Sequence, residues 1–295
     1  MFEMDKKVKG SLILVLTASM YGFFALFTRI IAFHIPLFYQ SFLRNLLVAV
    51  ILLAAVFFFK QWKKVRSADI PWILGRTLFG LVAFYSIYIA LVYIPVGMTY
   101  FLYYSAALIT GYILGKFLFG EKITPIKIVS FVLAFIGLVF IYSLSLSNSI
   151  SLYAFLALLS GACGSVWNIF AKKLGNYYSA TQLNLLDVAI TVVSSFALSL
   201  IWHEQWVPIT FSQEWIAIFI LAFYFLATGQ FIVWGFKYVE AQLGTLILQL
   251  DIIFAVLLGY FIFHEVLNAS TIIGGILICI AIFLPYLKLK RRVSR

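Results

Sequence analysis

Apolar residues run along this chain in long blocks, each interrupted by a few polar residues, a glycine or a proline. Ten such blocks stand out, at 11–33, 36–59, 71–92, 96–119, 126–144, 152–173, 180–202, 215–236, 241–264 and 271–288. A helix needs roughly 20 apolar residues to cross the hydrocarbon core of a bilayer, so each block predicts one spanning helix. The interruptions hold Pro36, the basic stretch Lys60–Asp69, Pro95, Gly120–Pro125, the polar run Ser143–Ser151, Gly175–Ser179 and His203–Glu214. None is long enough to form a soluble domain. The pattern predicts an all-α membrane protein of ten transmembrane helices.

Composition sharpens this. Of 295 residues, 64% are hydrophobic and only 11% charged, too little polar surface for a soluble fold of this length. The net charge of +11 would fit a nucleic-acid partner only if the basic residues formed a continuous face. They fall instead in short clusters: Lys6, Lys7 and Lys9; Lys60, Lys63, Lys64 and Arg66; Lys116, Lys122 and Lys127; Lys172 and Lys173; Lys237; and Lys288, Lys290, Arg291, Arg292 and Arg295. These make up 18 of the 21 Lys and Arg, while the alternate loops near 34–36, 93–97, 145–151, 203–214 and 264–270 have none. Basic loops stay in the cytoplasm, so both termini are expected inside, in the cytoplasmic (inner) membrane. The apolar stretch after Lys7 is too long for the core of a cleavable signal peptide.

Other chemistries find little support. Cys163 and Cys279 lie within apolar runs without metal-ligand spacing and read as small core residues. The histidines, His34, His203 and His264, all sit at the predicted outer interface. No HExxH, GxSxG, P-loop or paired carboxylates on one helix face are present, so neither an enzyme, an ATP-driven pump nor a metal or cofactor site is expected.

The chain also repeats itself at an offset near 144. Phe119-Gly120-Glu121 closes the fourth span as Phe263-His264-Glu265 closes the ninth, and Ala107, Gly111 and Gly115 align with Asp251, Ala255 and Gly259. Ala90-Leu91-Val92-Tyr93 matches Gly235-Phe236-Lys237-Tyr238 after a one-residue gap. The halves, 1–148 and 149–295, each hold five spans. An odd number makes the second insert upside down, giving two inverted five-helix repeats as in many transporters. The Ala107-Gly111-Gly115 stripe predicts a close helix–helix approach.

With these segments the chain resembles the drug/metabolite transporter superfamily in its ten-helix EamA form, over essentially its whole length. The resemblance is carried by Phe42-Leu43-Arg44, by Ala90-Leu91-Val92-Tyr93-Ile94-Pro95, and by the Gly-Glu at 120–121 and His-Glu at 264–265. The family usually has prolines where this chain has Leu108 and Ile252. The resemblance implies alternating access, a central cavity lined mainly by spans 1, 3, 4, 6, 8 and 9, and export or exchange of metabolites.

Charges inside spans are the candidates for function, because a bare carboxylate at mid-bilayer costs ~2.5 kcal/mol or more. Asp251 lies roughly 15 Å into the ninth helix and shares a face with Ala255 and Gly259, so it is expected to point into the bundle and bind a cation or a coupling proton. Arg44 and Asp187 occupy matching places in the second and seventh spans and read as structural charges, though an Arg44 that reached the cavity would meet a substrate carboxylate. Arg76, like Arg29, is expected to snorkel to the interface. Glu121 and Glu265 end helices at opposite faces and read as holding loops or gates. The uncharged candidates are Trp167, Asn168, Gln230 and Gln249, with Tyr85 and Tyr88, and Tyr103 and Tyr104, since buried amides and phenols need partners.

The function expected is a secondary transporter of a small amphiphilic metabolite, an amino acid or related zwitterion. A cationic or nucleoside-like metabolite, or a lipid, is the alternative cargo. The expected partners are the substrate, the bilayer and protons, in a monomer or homodimer.

Overall fold

The computed structural model describes residues 6–31, 34–94, 96–142, 152–263 and 268–293. Regular structure in them is helical throughout. It comprises α1 (Lys6–Tyr21), α2 (Phe24–Ile31), α3 (Leu37–Phe58), α4 (Ile70–Tyr93), α5 (Val96–Phe119), α6 (Pro125–Tyr142), α7 (Leu152–Leu174), α8 (Ala180–Ile201), α9 (Gln213–Tyr238), α10 (Ala241–Leu248), α11 (Leu250–Phe263) and α12 (Ala269–Val293). Among the described residues, seven helical stretches are long and apolar enough to cross a membrane: α3, α4, α5, α7, α8, α9 and α1 running into α2. Three shorter apolar stretches, Pro125–Ile141, Ala241–Phe254 and Ala269–Pro285, join them. Pro95, the Arg29 side chain and the His264–Glu265 pair lie outside the described residues.

The packing is helix on helix. α4 and α5 both lie against α7, α3 against α8, α6 against α12, and α1 against α9 with α10 and α11 at its side. The Ala107-Gly111-Gly115 stripe faces α10. A Cβ on Gly111 would stand 2.8 Å from the Thr245 Cβ, and one on Gly115 would stand 2.7 Å from the Gln242 Cγ. The predicted close approach is thus between the fourth apolar block and the first part of the ninth.

Two blocks that read as single helices are broken. α1 stops at Tyr21 and α2 resumes at Phe24, with the Gly22 N–H donating to the Ala18 carbonyl at 3.2 Å and the Phe23 N–H to that of Met20 at 3.0 Å. α10 gives way to α11 at Gln249, whose N–H donates to the Leu246 carbonyl at 3.1 Å. No proline causes the second break; Ile252 stands nearby. Interrupted backbone survives in an apolar medium only when buried in protein or beside a cavity. Both breaks meet that condition, since Tyr21 and Phe24, and Leu248 and Asp251, line the same internal cavity.

The α5–α7 crossing depends on Gly161, where any Cβ would overlap the Tyr103 carbonyl group. Gly161→Leu is expected to cost about 1–3 kcal/mol and lower the melting temperature of the purified protein. Gly275→Ala, at a position with open space around it, serves as the control and leaves melting unchanged.

Candidate functional site

A cavity of about 240 Å³ lies between the helices, with residues of α1 to α5 and α7 to α11 in its wall. Its lining is wider than the resemblance implied, because the second and seventh spans (α3 and α8) contribute Arg44, Asn45, Asn184 and Asp187. Much of the wall is aromatic. Phe24 packs edge-on to Phe84 and Phe225, with centroids 6.3 and 6.0 Å away, and stacks on Tyr224 at 6.5 Å. Tyr100, Tyr103 and Tyr104 of α5 form another side, with Tyr104 5.8 Å from Tyr100 and 4.9 Å from Tyr103.

Arg76 does not snorkel. It is 1% exposed and forms an ion pair with Asp187. Its Nη2 donates to the Asn184 Oδ1 at 3.1 Å, and the guanidinium lies 4.8 Å from the Trp167 ring. Asp187 also accepts from the Thr77 hydroxyl at 2.7 Å and from the Trp167 Nε1 at 3.1 Å. The cluster joins α4, α7 and α8. An interior guanidinium outweighs its own desolvation only where a carboxylate and further acceptors surround it, and α8 supplies both. Asn184 stands one turn before Asp187 and Thr77 directly follows Arg76, so each helix brings a polar neighbour to the pair.

Two other intramembrane charges among the described residues lack such company. Arg44 is 3% exposed, lines the cavity, and makes no ion pair among the described residues. Asp251 is 5% exposed in the first turn of α11, and its Oδ1 has no hydrogen-bond partner there. Trp167, Asn168 and Tyr104 line the cavity with it, and the Asn168 Oδ1 is likewise unpartnered. Tyr85, Gln230 and Gln249 lie outside the lining: the Tyr85 hydroxyl bonds that of Ser195 at 2.8 Å, and the Gln249 amide is buried without a partner at the helix break. The sequence reading missed Tyr21, Phe24, Phe84, Tyr224 and Phe225, because nothing separates a cavity aromatic from a lipid-facing one in a chain this rich in both.

A second polar assembly sits at the lysine-rich end. The Glu121 carboxylate accepts from the backbone N–H groups of Ala241 (2.6 Å) and Gln242 (3.1 Å), the head of α10, and from the Lys172 Nζ at 2.7 Å. Lys127 pairs with Glu240 at 2.7 Å and donates to the Gln242 Oε1 at 2.7 Å. Burial would raise the Glu240 carboxyl, but the hydrogen bond and charge of Lys127, with Lys7 and Lys172, hold it below the usual carboxylate range. This contribution is therefore present at neutral pH and lost as the pH falls through that depressed value.

Against known proteins, residues 8–143 and 151–287 each match the model of the EamA-like transporter family. The chain belongs to the EamA-like transporter family. It is a multi-pass membrane transporter, not an enzyme. It is similar to the uncharacterized transporter YoaV of Bacillus subtilis, 24% identical over 190 residues. That match covers 61% of this chain and 63%, less than two thirds, of YoaV. The chain is also similar to the pseudopaline exporter CntI of Pseudomonas aeruginosa, 23% identical over 212 residues, 72% of this chain and 73% of that protein. A crystal structure 19% identical in sequence shares the fold with a TM-score of 0.73, covering 95% of this chain and 98% of its own.

Asp187→Asn would leave the Arg76 charge buried and unpaired, an expected cost of about 3–5 kcal/mol. Melting of the purified variant should fall well below that of wild type, and Arg76→Met with Asp187→Leu should recover most of the loss. Unchanged melting in Asp187→Asn would rule out an energetically important pair.

Proposed function

We propose that this EamA-family transporter works by alternating access and exports a small amphiphilic metabolite, an amino acid or related zwitterion, with Asp251 receiving its ammonium group or a coupling proton. The observation that carries the reading is a carboxylate with an unpartnered oxygen in the wall of an aromatic cavity. Its place in the first turn of α11 puts it at the positive end of that helix, which favours the anion. Tyrosine and phenylalanine faces suit an organic cation on its way to such a carboxylate. The cavity's 240 Å³ lies below the ~300–1,000 Å³ that drug-sized ligands occupy, so a small cargo fits best. Export follows the exporter among the relatives.

Alternating access gains support from the helix contacts. The ten apolar blocks, taken as ten spans in inverted halves divided near residue 148, would make α4–α7 (third and sixth spans) and α1–α9 (first and eighth) equivalent pairs. Both are extensive contacts. The α3–α8 and α6–α12 pairs then lie across the pseudo-symmetry axis. Glu121, which follows α5 and accepts from the head of α10, acts as a latch closing the lysine-rich, cytoplasmic end, and the repeat gives the same task at the outer end to Glu265. The protein lies in the cytoplasmic membrane as a monomer or homodimer.

The deciding experiment is flux of labelled amino acids and organic cations into proteoliposomes, with and without a pH gradient, for wild type and Asp251→Asn. Flux that disappears in the folded variant is the expected result. Normal pH-coupled flux in Asp251→Asn, or no flux of any member by folded wild type, overturns the reading. For the latch, Thr245→Cys in a Cys163→Ala/Cys279→Ala background is expected to react severalfold faster with a thiol reagent from the lysine-rich side once Glu121→Ala is added. Equal labelling would remove the gate.

A further inference from the structure

We propose that Arg44 is the carboxylate-binding subsite of this cavity, so that the cargo is a monocarboxylate whose acid group docks on the edge of its guanidinium. The inference shares its cavity with the transport reading above and rests on it.

Arg44 and Arg76 are the same chemical group, Arg44 in the cavity wall and Arg76 bonded behind it to the lining residues Asn184 and Asp187, and the contrast between them is informative. Arg76 has a carboxylate, an amide oxygen and the Leu183 carbonyl around it. Among the described residues Arg44 has one long hydrogen bond, 3.3 Å from Nη1 to the Gln40 Oε1 on its own helix, and no carboxylate; the Nε is without an acceptor in both arginines. The Gln40 Nε2, one turn away, also lacks one. What Arg44 has instead is an aromatic bed: its central carbon lies 4.7 Å from the Phe84 centroid and 4.5 Å from that of Phe225. Ring faces attract a cation but accept little of its N–H directionality, so the bed positions the guanidinium and leaves its donors open.

A buried charge of this kind persists when something brings the missing counter-charge, and here the free space beside it is the cavity. The guanidinium presents parallel N–H donors in one plane, matching a planar oxyanion in bidentate geometry. The wall limits the charge of that anion. Among the described residues Asp187 is occupied by Arg76 and Arg44 is the one cation in the lining, so a dianion such as a phosphate monoester would keep one charge uncompensated. A single carboxylate fits. Arg44 on α3 and Asp251 on α11 then give the cavity two unlike poles with aromatic wall between them, and the cargo takes its orientation from both. The repeat underlines the specialisation, because the place equivalent to Arg44 holds Asp187, which α4 has already neutralised.

The test uses purified protein and matched probes: phenylalanine, its methyl ester, phenethylamine, 3-phenylpropionate and phenyl phosphate. Each is scored by ligand-induced melting shift and by flux in proteoliposomes, for wild type, Arg44→Lys, Arg44→Gln, Phe225→Leu and Asp251→Asn. Wild type is expected to favour members with a free carboxylate by about tenfold or more over ester and amine, as a charge-assisted pair implies. Arg44→Gln erases that preference, Arg44→Lys keeps part of it, and Phe225→Leu weakens it in a protein that still folds. Equal handling of acid, ester and amine by wild type overturns the proposal without any variant. So does a folded Arg44→Gln that retains the preference, or a wild type that prefers phenyl phosphate. Flux that fails in Asp251→Asn while Arg44→Gln stays selective removes this subsite and leaves the transport reading standing. Absence of flux in wild type, with carboxylate-selective melting shifts lost in Arg44→Gln, does the reverse.

Discussion

α10 is eight residues long and every one of them is buried. A helix of two turns leaves most of its backbone N–H and C=O groups without partners of its own, and no water reaches them in this interior. The carboxylate of Glu121 answers that constraint by taking the first two N–H groups of α10 while Lys172 balances its charge. Much else follows from this cap. α5 must run close to α10, which requires the glycines facing Thr245 and Gln242. α10 can then stop at Gln249, freeing α11 to begin with Asp251 in its first turn at the cavity wall. The link between the contact at the lysine-rich end and the cavity carboxylate is one short stretch of helix.

The polar groups of the interior divide by whether they are satisfied. The α3–α8 pair is tied at both ends: Glu204 accepts from the Phe38 and Tyr39 N–H groups at 3.0 and 2.7 Å, and Gln182 exchanges hydrogen bonds with the Lys63 backbone at 2.9 and 2.6 Å. Arg76 and Asp187 close the middle between α4 and α8. These contacts join helix to helix within the protein, with the Arg76 Nε and the Asn184 Nδ2 left over. Arg44, Asn168 and Asp251 are incomplete, and all three line the cavity. At the cavity wall a ligand completes such bonding, an outlet that unpartnered groups away from the cavity, such as the Gln249 amide, do not have.

The apolar membrane helices and the transporter class were legible because the pattern that carries them extends over some twenty residues at a time, which tertiary packing does not alter. The glycine stripe was legible for the same reason, since small residues at one-turn spacing have few other uses in a membrane helix. Asn168 and Asp251 stood out in the sequence because amides and charges are scarce in spans, and both line the cavity.

What the sequence could not decide was pairing. Arg76 and Asp187 are 111 residues apart, and whether an intramembrane arginine reaches the interface or a carboxylate depends on which helix lies beside it. Arg44 read as structural because the family pattern places its span away from the cavity; the packing of α3 on α8 and α9 brought it into the wall. The breaks at Gly22 and Gln249 leave no proline signature, since a helix is interrupted wherever neighbouring groups can take up the freed backbone. One-dimensional pattern determined that this chain crosses a membrane and carries charge within it. Only the tertiary structure decided which of those charges are satisfied by the protein and which are left for a ligand, because a charge's energy depends on its nearest partners and not on its place in the chain.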